Sequence, residues 1–217
     1  MKYANYLIIF LLASFGQVVL AQSKVSLVPG IFYNGGGFKE EVQGYGLAIG
    51  LEYKPITSHF FSLELRTKYG VYSFDDGTKW TEDVNGVLQP PKNLNKARLE
   101  YTLFSPQIGL VPKLYIDIDE DLSLFLENEF STGLMSGNFK YGGQPYAKKN
   151  ITEPIFNYSI GFGVEYGMNK YSFVGSIGYS TLNFRGKIWK HQPKNYQGQI
   201  PNQSAGLIIN IMLKVPL

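Results

Sequence analysis

The chain has 217 residues, with 17% charged, 15% aromatic, 24 glycines and a net charge of +3. That length suits one domain, and so small a charge argues against a nucleic-acid partner and against an acidic tail protein. There is no cysteine, which excludes a disulfide scaffold, a thiolate metal site, a cysteine nucleophile and a lipid-modified N-terminal cysteine.

The first element reads as a leader. Lys2 precedes the apolar run from Tyr6 to Phe15, and Val19-Leu20-Ala21 places small or modest residues before Gln22. This is the pattern of a cleavable secretory signal peptide over 1–21, with 22–217 as one exported domain. No later segment approaches the ~18 consecutive apolar residues that a membrane-spanning helix needs.

From Val25 onward the polarity alternates with period two, the signature of β-strand. Eight runs are expected, at 25–34, 43–54, 59–73, 98–117, 122–135, 154–167, 171–184 and 204–216. In the second, Tyr45, Leu47, Ile49, Leu51 and Tyr53 share one face, and Gly46, Ala48, Gly50 and Glu52 the other. The sixth sets Phe156, Tyr158, Ile160, Phe162, Val164 and Tyr166 against Asn157, Ser159, Gly161, Gly163 and Glu165. The fourth changes phase near Ser105-Pro106, where a bulge is expected. Connections at 55–58, 118–121 and 167–170 are short and rich in turn residues. Those at 35–42, 74–97, 136–153 and 185–203 are longer and polar. Short turns at one end and long loops at the other describe an all-β, closed antiparallel transmembrane barrel with periplasmic turns and extracellular loops.

Three features favour a membrane barrel over a soluble one. The non-apolar face is crowded with Gly44, Gly46, Gly50, Ser159, Gly161, Gly163, Ser176 and Gly178, which a narrow bore requires. Aromatics flank the apolar stripes, with Tyr53, Tyr166 and Tyr171 near the short turns and Tyr33, Tyr45, Tyr69, Tyr101, Phe156 and Tyr179 toward the long loops. Thirdly, the strand charges fall on the small-residue face: Glu52, Glu64, Glu100, Glu127, Glu129 and Glu165 against Lys54, Arg66, Lys68, Arg98, Lys113 and Lys214.

This set of features resembles the small eight-stranded outer-membrane barrels of the OmpX and OmpA type. The run LFSPQIGLVPKLYIDI (Leu103–Ile118) is similar to the mid-chain strand of many Bacteroidetes-type porin-family barrels. The terminal IMLKVPL resembles the C-terminal signal read by the barrel-assembly machinery, although it ends in Leu217 rather than an aromatic and contains Pro216, which cannot donate to a sheet. The resemblance implies a Gram-negative outer-membrane location, insertion by that machinery, and a surrounding of outer-membrane lipids and lipopolysaccharide. It transfers fold and compartment with little function.

The inward charges balance, which points to a paired structural core in a bore with little spare room. The alternative is a narrow porin-like path for ions or small solutes, for which a ring of one sign would be expected. Some barrels of this size are lipid A palmitoyltransferases or deacylases, so the histidines matter. His59 follows a tight turn at the periplasmic rim, and His191 lies in the last loop without a His-x-Ser motif. Neither has a nucleophile and an orienting group beside it, so no catalytic site, metal site or cofactor is expected. The loops are the better prospect. Lys148 and Lys149 in the third, and Lys187, Trp189 and Lys190 in the fourth, could pair with lipopolysaccharide phosphates while the indole anchors at the interface; plain solvated loop charge is the alternative. The expectation is a non-enzymatic barrel acting through its rim, in envelope structure, surface contact or adhesion.

Overall fold

The computed structural model describes residues 23–35, 43–55, 60–75, 81–82, 88–89, 99–141, 147–191 and 206–217. Residues 1–21, expected to be a signal peptide, and His59 lie outside the described residues. Eight barrel strands run β1 (Ser23–Gly35), β2 (Gln43–Pro55), β3 (Phe61–Asp75), β4 (Leu99–Asp117), β5 (Leu122–Tyr141), β6 (Ala147–Met168), β7 (Tyr171–Ser180) and β8 (Leu207–Pro216). A two-residue ribbon pairs Thr81–Glu82 with Leu88–Gln89, and one short helix, α1, spans Arg185–Lys190.

Each strand pairs antiparallel with its chain neighbours, and β1 pairs with β8 to close the barrel. A path across the ladders from Val25 through Tyr53, Leu63, Pro112, Asn128, Ile160, Tyr179 and Leu207 returns to β1 at Gly35. That stagger tilts the strands by roughly 35–45° to the barrel axis.

The wall is apolar outside and polar within. Leu47, Ile49 and Phe162 expose 64%, 54% and 70% of their surface, whereas Arg66 and Lys113 expose 1% and 0%. In water this arrangement would expose an unbroken apolar belt far larger than a soluble monomer carries; in a bilayer it is the stable one. Closure also leaves no edge strand. The molecule is a transmembrane β-barrel.

Four sequence expectations change. The bulge at Ser105-Pro106 is absent, because β4 pairs with β3 in one unbroken register from Phe61↔Leu114 to Asp75↔Glu100. Tyr101, Leu103, Ser105 and Gln107 accordingly face inward and are buried, so Tyr101 belongs to the core and not to the outer aromatic ring. No change of phase occurs along β4 as described from Leu99; Arg98 and the side chain of Glu100, both expected in the lumen, lie outside the described residues. The third loop, expected over 136–153, is largely a continuation of β5 and β6, paired as far as Tyr141↔Ala147. Lys148 and Lys149 therefore stand on β6, their side chains outside the described residues. Finally, regular β7 stops at Ser180, short of the expected 184, although the alternation runs on: the Thr181 N–H still donates to the Tyr158 carbonyl at 2.8 Å, and Leu182 and Phe184 keep the inward phase at 1% and 0% exposure.

The ladders leave little space where glycines meet. Gly161 and Gly178 face each other across β6 and β7, and a Cβ on Gly178 would collide with the main-chain carbonyl of Ile160. Gly175, on the same strand, would meet nothing within 4 Å. Gly178→Ala should therefore lower stability by about 1–3 kcal/mol, seen as a lower urea midpoint of the folded band on unheated gels. Gly175→Ala should leave that midpoint unchanged.

Candidate functional site

The bore holds a column of ion pairs whose members come from six strands. Reading up from the short-turn end, Lys214 Nζ bridges Glu165 at 3.1 Å and Glu52 at 2.6 Å. Lys113 Nζ then joins Glu52 and Glu64, each at 2.8 Å. The Arg66 guanidinium meets Glu64 at 2.7 Å, Glu127 at 3.1 Å and Glu129 at 3.3 Å, and Lys68 closes on Glu129 at 2.6 Å. Period-two geometry puts every second residue of β2, β3, β4, β5, β6 and β8 into the bore, so the column is assembled wholly from inward positions.

Neutral groups take up the remaining lone pairs. Ser176 Oγ donates to Glu127 at 2.5 Å, Asn210 Nδ2 donates to the same oxygen at 3.1 Å, and the Tyr115 hydroxyl donates to Glu52 at 3.2 Å. Lys54, also expected inward, sits 4.5 Å from the centroid of the Tyr115 ring. Buried charges are tolerated only with such pairing and hydrogen bonding. Of the twelve inward charges named from the sequence, nine join this column and Lys54 lies beside the Tyr115 ring; Arg98 and the side chain of Glu100 lie outside the described residues.

Apolar clusters pack the bore around the lower end of the column and above it. Val28, Tyr115, Phe125, Val174 and Met212 lie toward the short turns. Phe32, Tyr72, Leu103, Met135, Leu182 and Phe184 are among those toward the long loops, with the Phe184 ring edge-on to Tyr72 at 5.0 Å. Glu64, Lys113, Leu103 and Phe184 each have no surface that water can touch. Among the described residues, these side chains close off the bore around them from water.

The extracellular mouth carries the second cluster. After Phe184 comes α1, and Glu153, on β6 beyond Phe156 toward the long loops, ties the segment to the wall. Its carboxylate accepts from His191 Nε2 at 2.6 Å and Lys190 Nζ at 3.1 Å, with Lys187 Nζ at 3.9 Å. These partners, the His191 hydrogen bond first, hold the Glu153 carboxyl below the usual carboxylate range. Lys187 and Lys190 keep 36% and 66% of their side-chain surface in solvent. Trp189 lies in α1, but its side chain is outside the described residues. Glu153 went unnoticed in the sequence, although it shares the inward phase of Ile151 and Ile155, which is the signal that could have found it. Among the described residues, no group of three or more acidic or histidine side chains is placed to hold a metal ion.

No protein-family model matches the chain, and no curated protein matches it. Solved structures similar to it include Neisserial surface protein A, at 10% identity and a TM-score of 0.45 over 90% of this chain and 96% of that one. The N-terminal β-barrel domain of Pseudomonas aeruginosa OprF aligns at 14% identity and a TM-score of 0.40, covering 90% of this chain and 98% of the other. Ail, the attachment invasion locus protein of Yersinia pestis, in complex with the heparin analogue sucrose octasulfate, aligns at 12% identity and a TM-score of 0.40, covering 89% and 95%.

Proposed function

We propose that this chain is a non-enzymatic protein of the bacterial outer membrane that acts through its extracellular rim, in envelope structure or surface binding. The observation that carries the reading is the closed bore. A column of paired charges with apolar clusters packed about it fills the described bore, which argues against a solute path and against a cleft in which a nucleophile and a base could meet substrate. What the barrel offers its surroundings is then its outer wall and its mouth. Refolded protein in a planar bilayer should give no discrete conductance steps; reproducible steps would make it a small pore instead.

The mouth favours an anionic partner. Among the described residues, Lys187, Lys190 and His191 converge on the one carboxylate of Glu153, so basic groups outnumber acidic ones in this cluster, and both lysines remain partly exposed. Placed just above the outer leaflet, they suit lipopolysaccharide phosphates. The triple change of Lys187, Trp189 and Lys190 to alanine should weaken binding of the refolded barrel to lipopolysaccharide-containing vesicles several-fold. Unchanged binding would overturn that assignment.

A further inference from the structure

We infer that the lipid-facing wall at β5 and β6 is a contact surface for a second copy of this chain, centred on Asn128. This residue points outward from β5, opposite Ile160, which lies between Phe156 and Tyr166 of β6 and therefore near mid-membrane. Around it the outward positions Phe130, Ile160 and Leu110 are apolar, with exposures of 59%, 38% and 50%. A polar side chain set among such groups at this depth is costly unless it is partnered.

Asn128 is only half partnered. The Tyr158 hydroxyl donates to its Oδ1 at 2.9 Å, but among the described residues nothing accepts from its Nδ2. Other polar groups on this outer face are served by their own wall: Thr67 Oγ1 donates to the Ile49 carbonyl at 3.1 Å, and Thr132 Oγ1 to the Ile155 carbonyl at 3.2 Å. Pairing between β4 and β5 skips from Leu110↔Phe130 to Lys113↔Glu127, because Pro112 stands opposite Asn128 and has no N–H to donate.

The chemistry selects the occupant. Acyl chains offer no acceptor at this depth. A second Asn128, related by a two-fold axis along the membrane normal, offers both what the first lacks and what it has to spare. Each Nδ2 can donate to the other Oδ1, whose second lone pair is free beside the Tyr158 bond. Two-fold pairing of like surfaces is the commonest form of protein self-association, and side-chain amides join spans across a membrane in the same way.

The absence of native cysteine makes the test clean. Asn128→Cys in proteoliposomes should give a disulfide-linked dimer on oxidation, while Ile31→Cys, outward on the opposite wall, should not. Energy transfer between separately labelled copies should be present for the native chain and at least several-fold weaker for Asn128→Leu. The heat-dependent gel shift must show that each variant is folded. Absence of energy transfer in the native chain, equal transfer in Asn128→Leu, or equal cross-linking through Ile31→Cys would each overturn the proposal.

Discussion

Replacing Arg66 with alanine is expected to destabilise the folded barrel by about 3–5 kcal/mol, the largest effect of any single substitution considered for the lumen. Among the described residues the guanidinium is the only cation paired with Glu127, and it also serves Glu64 and Glu129, all four groups being shielded from water. Its loss leaves carboxylates without a counter-charge in a bore that solvent does not enter, and the desolvation already incurred is no longer offset. Measurement of the urea midpoint of the folded gel band in liposomes would show it. Adding Glu127→Gln to Arg66→Ala should recover part of the loss, since it removes the charge left most exposed to the deletion. An Arg66→Ala barrel as stable as the native one would mean that the column contributes nothing to holding the wall together.

Placing a charge on the outside should matter by depth. Ile49→Arg is expected to cost about 2–4 kcal/mol, the range for an arginine on the lipid face near mid-membrane. Tyr45→Arg, one turn of alternation from the end of the apolar stripe, should cost only about 0–1 kcal/mol. Both residues are exposed, at 54% and 64%, on the same face of β2. In water a new surface charge at either place would be harmless. A graded loss that follows depth, read as the same urea midpoint in bilayers, is thus specific to a wall bathed in lipid. Equal tolerance at the two positions would contradict the membrane reading of the fold.

The two effects have opposite origins. Arg66 fails by leaving charge unpaired inside, and Ile49→Arg fails by adding charge outside. Together they test the statement on which the functional proposal rests, that the bore is closed by its own charges while the wall faces hydrocarbon.

Much of this architecture is legible along the chain because a strand has a period of two. Tyr45, Leu47, Ile49 and Leu51 alternate with Gly46, Ala48, Gly50 and Glu52, and each set lies on the face its polarity implies. The same rule fails in β4. Above Gln107 both faces are apolar, with Phe104 outside and Leu103 inside, so polarity no longer distinguishes lumen from lipid and the phase is misread. The loops were harder still. Leu182 and Phe184 continue the alternation of β7 on its inward face, and only the three-dimensional neighbourhood of Tyr72 and Leu103 reveals the apolar cluster that receives them there.

The sequence by itself determined the number of strands, their antiparallel succession and which face of most of them meets lipid, since all three follow from local periodicity and turn composition. The tertiary structure decided the rest: the stagger of the closed barrel, the partners in the column and the fate of the segment after β7. The reason is range. Lys214 and Glu52, or Arg66 and Glu127, are brought within bonding distance by closure and register between strands remote in the chain, and no local pattern specifies which inward charge will face which.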